Sequence, residues 1–223
     1  MLHNYPPSSI EHPHFIVRTL GLSDYQTTWQ AMKDFTYTRT PETCDEIWLL
    51  QHPPVFTQGI AGKPEHLLCD HGIPLIKTDR GGQITYHGPG QIIAYLLLDI
   101  HRLKLGVREL VGSMENAVID LLKTYHIKAM GRSEAPGVYV DNAKIAALGL
   151  KIKKKYCYHG IALNVDMDLT PFSYINPCGY QGLQVTQTKD LGITDGLEIL
   201  SNKLANQLQE KLFKGLSTNH HDY

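Results

Sequence analysis

Arg80-Gly81-Gly82-Gln83-Ile84-Thr85-Tyr86-His87-Gly88-Pro89-Gly90-Gln91 runs straight into Ile92-Ile93-Ala94-Tyr95-Leu96-Leu97-Leu98. Glycine alone reaches positive φ without steric cost, and proline fixes its own φ, so the first half must bend sharply or approach something closely. The second half is a continuous apolar run of strand length, which reads as a central, buried strand. A bent polar loop feeding a buried strand is a common place for a binding site. Two alternatives stay open for the loop itself: a plain turn joining two strands, with Tyr86 and His87 half-buried, or a ligand-contacting segment. No Gly-Lys-Ser/Thr follows the glycines and no Gly-x-Gly-x-x-Gly is present, so the loop is not a pyrophosphate cradle of either familiar kind.

Working outward, Phe15–Leu20, Glu46–Gln51, Ile73–Thr78 and Gln91–Asp99 have strand character, the second of them stopped by His52-Pro53-Pro54. Thr57-Gln58-Gly59 reads as a turn. Gly137–Val140 and Ala143–Ile152 form two strands about the tight turn Asp141-Asn142, and a third covers Tyr156–Asn164. Ser23 or Asp24 is placed to cap a helix from Tyr25 to about Tyr37. Val107, Leu110, Val111, Met114, Val118, Leu121 and Leu122 recur at helical spacing, and a last amphipathic helix starts at Thr194 or Asp195 and reaches Phe213. Strands mixed with helices, without regular βαβ alternation, predict an α/β (α+β) fold with a mixed sheet flanked by helices. The predicted organisation is a loose, proline-bearing arm over residues 1–14, one domain over 15–215 and a polar tail over 216–223.

The 223 residues carry a formal net charge of −1, which argues against a nucleic-acid binder working by bulk phosphate neutralisation. The start, Met1-Leu2-His3-Asn4-Tyr5-Pro6-Pro7, lacks the basic-then-apolar order of a signal peptide, and no apolar run is long enough to span a bilayer. A cytoplasmic protein with small-molecule or protein partners is expected. Cys44, Cys69, Cys157 and Cys178 are scattered without a Cys-x-x-Cys pair, so neither a disulfide framework nor a zinc site is expected, and no metal is called for.

Cys178 sits in Asn-Pro-Cys-Gly, where Pro177 stiffens the approach and Gly179 leaves room beside the sulfur. It reads either as a buried structural thiol or as an exposed, aimed one. Cys157, between two tyrosines on a strand, and Cys44 and Cys69 fit structural roles. A nucleophilic thiol must ionise, and a reference pKa of about 8.5 leaves only a few per cent thiolate at neutral pH. Lys144 is the available positive neighbour: it lies in an apolar strand, where an ammonium group gains nothing without a partner or a polar pocket. Its bland alternative is an edge-strand or snorkelling lysine. The run Lys151, Lys153, Lys154 and Lys155 reads first as a solvated hairpin end and secondarily as a patch for an acidic partner. His87 and His159 each precede a glycine, and either a structural or a proton-moving role is open to them.

Taken together, Arg80 to Gln91, Lys144-Ile-Ala-Ala-Leu-Gly149, His159-Gly-Ile-Ala-Leu-Asn164 and Asn176-Pro-Cys-Gly179 resemble, in order and approximate spacing, the lipoyl(octanoyl) transferases of lipoate biosynthesis. The resemblance covers Glu46 to Gly182, and the segment from Glu198 looks like that family's closing helix. It implies a fold similar to the biotin and lipoate protein ligases. It implies a cytoplasmic enzyme without cofactor that moves an octanoyl or lipoyl group from acyl carrier protein to a lysine of a lipoyl domain through a cysteine thioester. The acceptors implied are the lipoyl domains of 2-oxoacid dehydrogenase complexes and the glycine cleavage H protein. Cys178 corresponds to the thioester cysteine and Lys144 to the lysine that lowers its pKa. The acyl-binding positions correspond to Arg80, Gly81, Gly82, Gln83, Ile84, Thr85, Tyr86, His87, Ala147, Leu148, Gly149, Gly160, Ile161 and Ala162. The alternatives are an ATP-dependent ligase on the same fold and a non-catalytic acyl-binding module.

Overall fold

The computed structural model describes residues 8–12, 15–132, 134–176 and 182–213. Its frame is an eight-stranded sheet in the order β1-β2-β3-β7-β11-β10-β9-β8. The strands are β1 (Ser8–His12), β2 (Phe15–Leu22), β3 (Asp45–Gln51), β7 (Gln91–Asp99), β8 (Met130–Gly131), β9 (Gly137–Val140), β10 (Ala143–Lys153) and β11 (Tyr156–Asn164). Every pairing is antiparallel except β2 with β3, which makes the sheet mixed.

β3 and β7 are central, with apolar middles (Ile47–Leu50 and Ile92–Leu98) because both of their faces are covered. Ile47, Leu49, Ile92, Ala94, Leu96 and Leu98 face one core, with helices α2 (Val107–Lys123) and α3 (Leu197–Leu212). Trp48, Leu50, Ile93, Tyr95 and Leu97 face another, under helix α1 (Tyr25–Thr38), whose Met32 is fully buried. The two-residue period of a strand sorts the side chains between these layers. Asp24, not Ser23, caps α1: its carboxylate accepts from Thr27 N at 2.9 Å, while the Ser23 hydroxyl turns back to the Leu20 carbonyl. In α2 the Glu109 carboxylate returns to Gly106 N at 2.7 Å. Val107, assigned by spacing to its apolar stripe, is exposed, because the first turn projects past the core.

Three features depart from the sequence expectation. Ser8–His12, read as part of a loose arm, pairs antiparallel with β2 at the sheet edge. α3 begins at Leu197; Asp195 is occupied outside it, accepting from the Tyr125 hydroxyl and Lys203. Thr57-Gln58, read as a turn, ends strand β4 (Val55–Gln58), which pairs with β5 (Leu75–Lys77) and with β6 (Ile84–His87) in a second, three-stranded sheet. The glycine-rich stretch therefore contains a strand. Phe56, Ile84, Tyr86, Phe172 and Ile175 pack this small sheet onto the segment after β11.

Gly90 fixes the passage from β6 into β7. Its φ of 88° is left-handed, its carbonyl accepts from Val165 N and Asp166 N, and a side chain there would run into the Asp166 backbone.

Candidate active site

The site lies between the two sheets, on the α1 face of β10 and β11. Residues directly opposite in an antiparallel pair share a face. Ala147 stands opposite Ala162 and Gly149 opposite Gly160, while Ala162 and Gly160 stand opposite Ile93 and Tyr95 of β7. Two rows of small side chains thus form a trough, closed at one side by Ile93 and Tyr95. A residue larger than glycine at 160 would collide with the Ala94 carbonyl. The roof comes from Arg80, Gly82, Gln83, Ile84, Thr85 and His87, with Tyr25 of α1.

The resulting slot is lined by all but two of the acyl-contact positions expected from the sequence. Gly81 lies outside it, in an open groove with Lys63, His66, Val107 and Pro136, and its amide donates to the Leu150 carbonyl at 2.8 Å. Tyr86 is turned the other way by strand alternation, into the small sheet's core against Phe56 and Phe172. Tyr25, Ile93 and Tyr95 line the slot without having been singled out in the sequence. They reach it by tertiary packing, which no local spacing announces.

Arg80 is part of the slot's frame. Its guanidinium donates to the Thr57 carbonyl at 2.6 Å, to Thr57 Oγ1 at 2.9 Å and to the Gly81 carbonyl at 2.9 Å. Behind it, His87 Nδ1 meets Gln91 Oε1 at 2.8 Å, while Gln91 Nε2 donates to Asn164 Oδ1 and the Tyr86 carbonyl. Oε1 is thus an acceptor, which puts the His87 proton on Nδ1 and leaves Nε2 to accept from Thr57 Oγ1 at 3.2 Å. Burial, helped by nearby His52, pushes the His87 pKa down to about 3. Burial likewise takes His52, between the Ser23 carbonyl and the Tyr95 hydroxyl, to about 4. Both imidazoles are neutral at physiological pH with both nitrogens engaged, which fits a structural role for His87.

His159 occupies the far end of the slot with φ 65°, a left-handed backbone rare for a side-chain-bearing residue. Its Nε2 lies 3.1 Å from Asp79 Oδ1. Asp79 also accepts from Trp29 Nε1 at 2.9 Å and from the Tyr158 hydroxyl. Burial alone would raise the Asp79 pKa, but the bonds from His159, Tyr158 and Trp29 outweigh it and hold the carboxyl well below the usual range. Burial keeps His159 below its ordinary value despite that neighbour. An acidic residue directly before the glycine-rich loop was the available sequence signal for Asp79, and it went unused.

At the other end, Lys144 is 4% exposed, which sets aside both the edge-strand and the snorkelling alternatives. Its Nζ donates to the Pro136 carbonyl at 3.2 Å and sits 5.2 Å from the centre of the Tyr139 ring. A small cavity joins it to Thr85, Gln91, Ala147, Asn164, Phe172 and Val185, and Thr85 and Ala147 also line the slot. The Lys144 amide donates to the Gln184 carbonyl at 2.8 Å, and Thr186 N returns to the Lys144 carbonyl at 3.0 Å. Asn164 Nδ2 holds the Thr186 carbonyl at 3.0 Å. Cys178 falls within 177–181, outside the described residues. On the flanks of that segment, Asn176 N donates to the His66 carbonyl and Gln184 to Thr186 run alongside Lys144.

The other thiols are placed differently. Cys157 is buried, and burial pushes its pKa up to about 12, so it is no nucleophile; Cys44 and Cys69 are exposed. Lys153 and Lys154 are exposed at the turn between β10 and β11, as expected of a solvated hairpin end, whereas Lys155 turns inward to pair with the buried Asp99 at 3.0 Å. Among the described residues, no helix is long and apolar enough to cross a membrane.

Residues 24–212 match the family described as the lipoyl protein ligase A/B catalytic domain. An octanoyltransferase from Nitrosospira multiformis is 67% identical over 206 residues, spanning 92% of this chain and 94% of that protein. Among solved structures, a bipartite lipoate protein ligase from Thermoplasma acidophilum, studied with its E2 lipoyl domain, superposes with a TM-score of 0.69 at 16% identity, over 89% of this chain and 83% of that one. A biotin protein ligase from Aquifex aeolicus superposes with a TM-score of 0.54 at 12% identity, over 89% of this chain and 69% of that one. The fold expected from the sequence is the fold observed.

Proposed function

We propose that this chain, which belongs to the lipoyl protein ligase A/B catalytic-domain family, takes an octanoyl group from the phosphopantetheine thioester of acyl carrier protein, carries it on Cys178 and delivers it to a lysine of a lipoyl domain. The enzyme is an acyltransferase of the octanoyl class, acting in lipoate biosynthesis. The donor, the covalent relay and the acceptors, which are the lipoyl domains of 2-oxoacid dehydrogenase complexes and the glycine cleavage H protein, are our reading. The observation that carries it is the slot: an apolar trough floored by the small residues Ala147–Ala162 and Gly149–Gly160, which shares Thr85 and Ala147 with the small cavity at Lys144.

In this scheme the Lys144 ammonium stabilises the Cys178 thiolate, which attacks the thioester carbonyl; the tetrahedral intermediate collapses and the pantetheine sulfur leaves as a thiol with the proton of the Lys144 ammonium, which becomes a neutral amine able to accept the next proton. The incoming lysine amine then attacks the acyl-cysteine, loses a proton to Lys144 or the solvent, and expels the thiolate. Exchange between two thioesters is nearly balanced and the final amide is more stable, so the donor itself supplies the driving force and ATP is not required. Support for pairing Cys178 with Lys144 comes from the backbone bonds that tie Gln184 and Thr186, a few residues after the cysteine, to Lys144.

The test is the intact mass of the protein after mixing with octanoyl-loaded acyl carrier protein in the absence of ATP, with the modified residue then mapped. One octanoyl increment on Cys178 and subsequent transfer to a lipoyl domain are expected. Cys178→Ser should gain no mass and lose transfer by about a thousandfold or more. A strict need for ATP would make the chain a ligase, and full transfer by Cys178→Ser would make it a binding module.

A further inference from the structure

His159 holds a polar atom that neither the fold nor the proposed chemistry uses. The residue is 1% exposed, lines the slot, and leaves Nδ1 buried without a hydrogen-bond partner among the described residues. Its other nitrogen faces Asp79, which already accepts from Tyr158 and Trp29 and is therefore ionised. The ring proton belongs on Nε2, and Nδ1 presents a lone pair: an acceptor, not a donor. Strand alternation would place His159 on the opposite face from Tyr158. Its left-handed backbone instead brings the ring beside Tyr158, 5.0 Å between centroids, and onto the same carboxylate. A backbone conformation of this kind costs on the order of 1 to 3 kcal/mol and persists where the surroundings impose it.

Position gives the acceptor its meaning. Lys144 and Ala147 mark the end where the acyl carbonyl would sit, and His159 stands opposite Leu150, three residues further along β10. At about 3.3 Å per residue that is roughly 10 Å, the reach of an eight-carbon chain. Two other residues of the lining hold a buried polar atom without a partner among the described residues: Gln83 Oε1 belongs to a residue that also borders the outer groove, and the Tyr25 hydroxyl belongs to a ring packed beside His52 and His87 in the roof, so neither marks the distal end as His159 does.

We propose that His159 Nδ1 is a recognition point for the distal end of the acyl chain, so that the slot accepts medium-length acyl groups bearing a hydroxyl or thiol near their last carbon as well as plain ones. This rests on the slot being the acyl site. A hydroxyl in an apolar slot is ordinarily disfavoured against a methyl group of the same size; here it gains an acceptor that is otherwise wasted.

The experiment compares thioesters of ω-hydroxyoctanoate and nonanoate, which differ by hydroxyl against methyl, with octanoate as the control. In the unaltered enzyme the hydroxylated chain is expected to have a kcat/KM at least equal to that of nonanoyl. In His159→Gly, which keeps the left-handed backbone and removes the ring, the ratio is expected to fall about tenfold. The imidazole nitrogen resonance of His159 Nδ1 should move on acylation with the hydroxylated chain and stay in place with nonanoyl. An Nδ1 resonance already hydrogen-bonded before acylation, or a hydroxyl-to-methyl ratio unchanged in His159→Gly, would overturn the proposal. If the octanoyl control itself acylates nothing and transfers nothing, the failure belongs to the proposed function.

Discussion

Filling the floor of the slot provides a graded test of where the acyl chain lies. Ala162 is buried, directly opposite Ala147 and beside Ile93 of β7, so added carbon at this position enters the slot. Each methylene removed from water contributes about 0.8 kcal/mol. Valine adds two carbons and leucine three, so a chain excluded by the same volume loses about 1.6 or 2.4 kcal/mol, or roughly 15- and 60-fold in kcat/KM. The obstruction stands at the Lys144 end and displaces every chain toward His159; a butanoyl chain has empty slot beyond its last carbon to move into and escapes most of that loss, whereas an octanoyl chain already fills the slot. The assay is transfer from butanoyl, hexanoyl and octanoyl thioesters by Ala162→Val and Ala162→Leu. The octanoyl-to-butanoyl ratio should fall in the order alanine, valine, leucine, with melting temperatures showing that both variants fold. Valine suits a strand and serves as the safeguard if leucine does not fit. Equal losses for all three chain lengths, or an unchanged ratio in folded variants, would place the acyl chain elsewhere.

Lys144→Met should raise the Cys178 thiol toward its reference value. A neighbouring cation typically depresses a pKa by about 1 to 3 units, so alkylation near pH 7 should slow about tenfold or more. The measurement needs a background without Cys44 and Cys69, which are exposed and would react, whereas Cys157 is buried; unchanged kinetics would remove Lys144 from the activation step. Acid should destabilise the fold well before carboxylates titrate. His52 and His87 have pKa values lowered by burial to about 4 and about 3, while the unfolded chain binds their protons below about pH 6.5, so their contribution is intact above that pH and is lost progressively as pH falls toward the folded values. The melting temperature is expected to drop by about 5 °C per pH unit below pH 6, with roughly half that slope in His87→Gln if the variant keeps the fold; a flat profile between pH 7 and 5 would contradict the buried neutral imidazoles.

The central strands were legible because both cores use long apolar segments: β3, β7, β10 and β11 each carry their own pattern over seven or more residues. Of the second sheet only β5 was, inside the expected strand Ile73–Thr78. β4 and β6 have four residues each, too short for periodicity, and both include or adjoin glycine and polar residues that punctuate turns elsewhere. The same contrast runs through the site. Lys144 stood out as a charge in an apolar strand, and the small residues at 147, 149, 160 and 162 followed from motif resemblance. That they face one another in register is a property of the pairing of β10 with β11. Tyr25, Asp79 and Tyr95 converge only after α1, the loop before Arg80 and β7 are brought together, and no stretch of sequence contains that arrangement.

The trough has an energetic consequence that bears on how specificity arises. Alanine and glycine at the four floor positions forgo the packing that larger side chains would supply between the sheets, and core voids of that kind are destabilising. On the proposed function an acyl chain would fill the void with the apolar carbon the sequence leaves out, so that ligand and core would be stabilised by the same contacts. Under the same proposal chain length would be read at two fixed boundaries, the Lys144 cavity at one end and the Asp79-anchored His159 at the other. Ligases for lipoate and biotin share the fold at low identity, so the frame alone does not choose the reaction. On our proposal the choice lies at the Lys144 end: an enzyme that receives its acyl group already activated needs a thiolate there, and one that starts from a free acid needs a nucleotide instead.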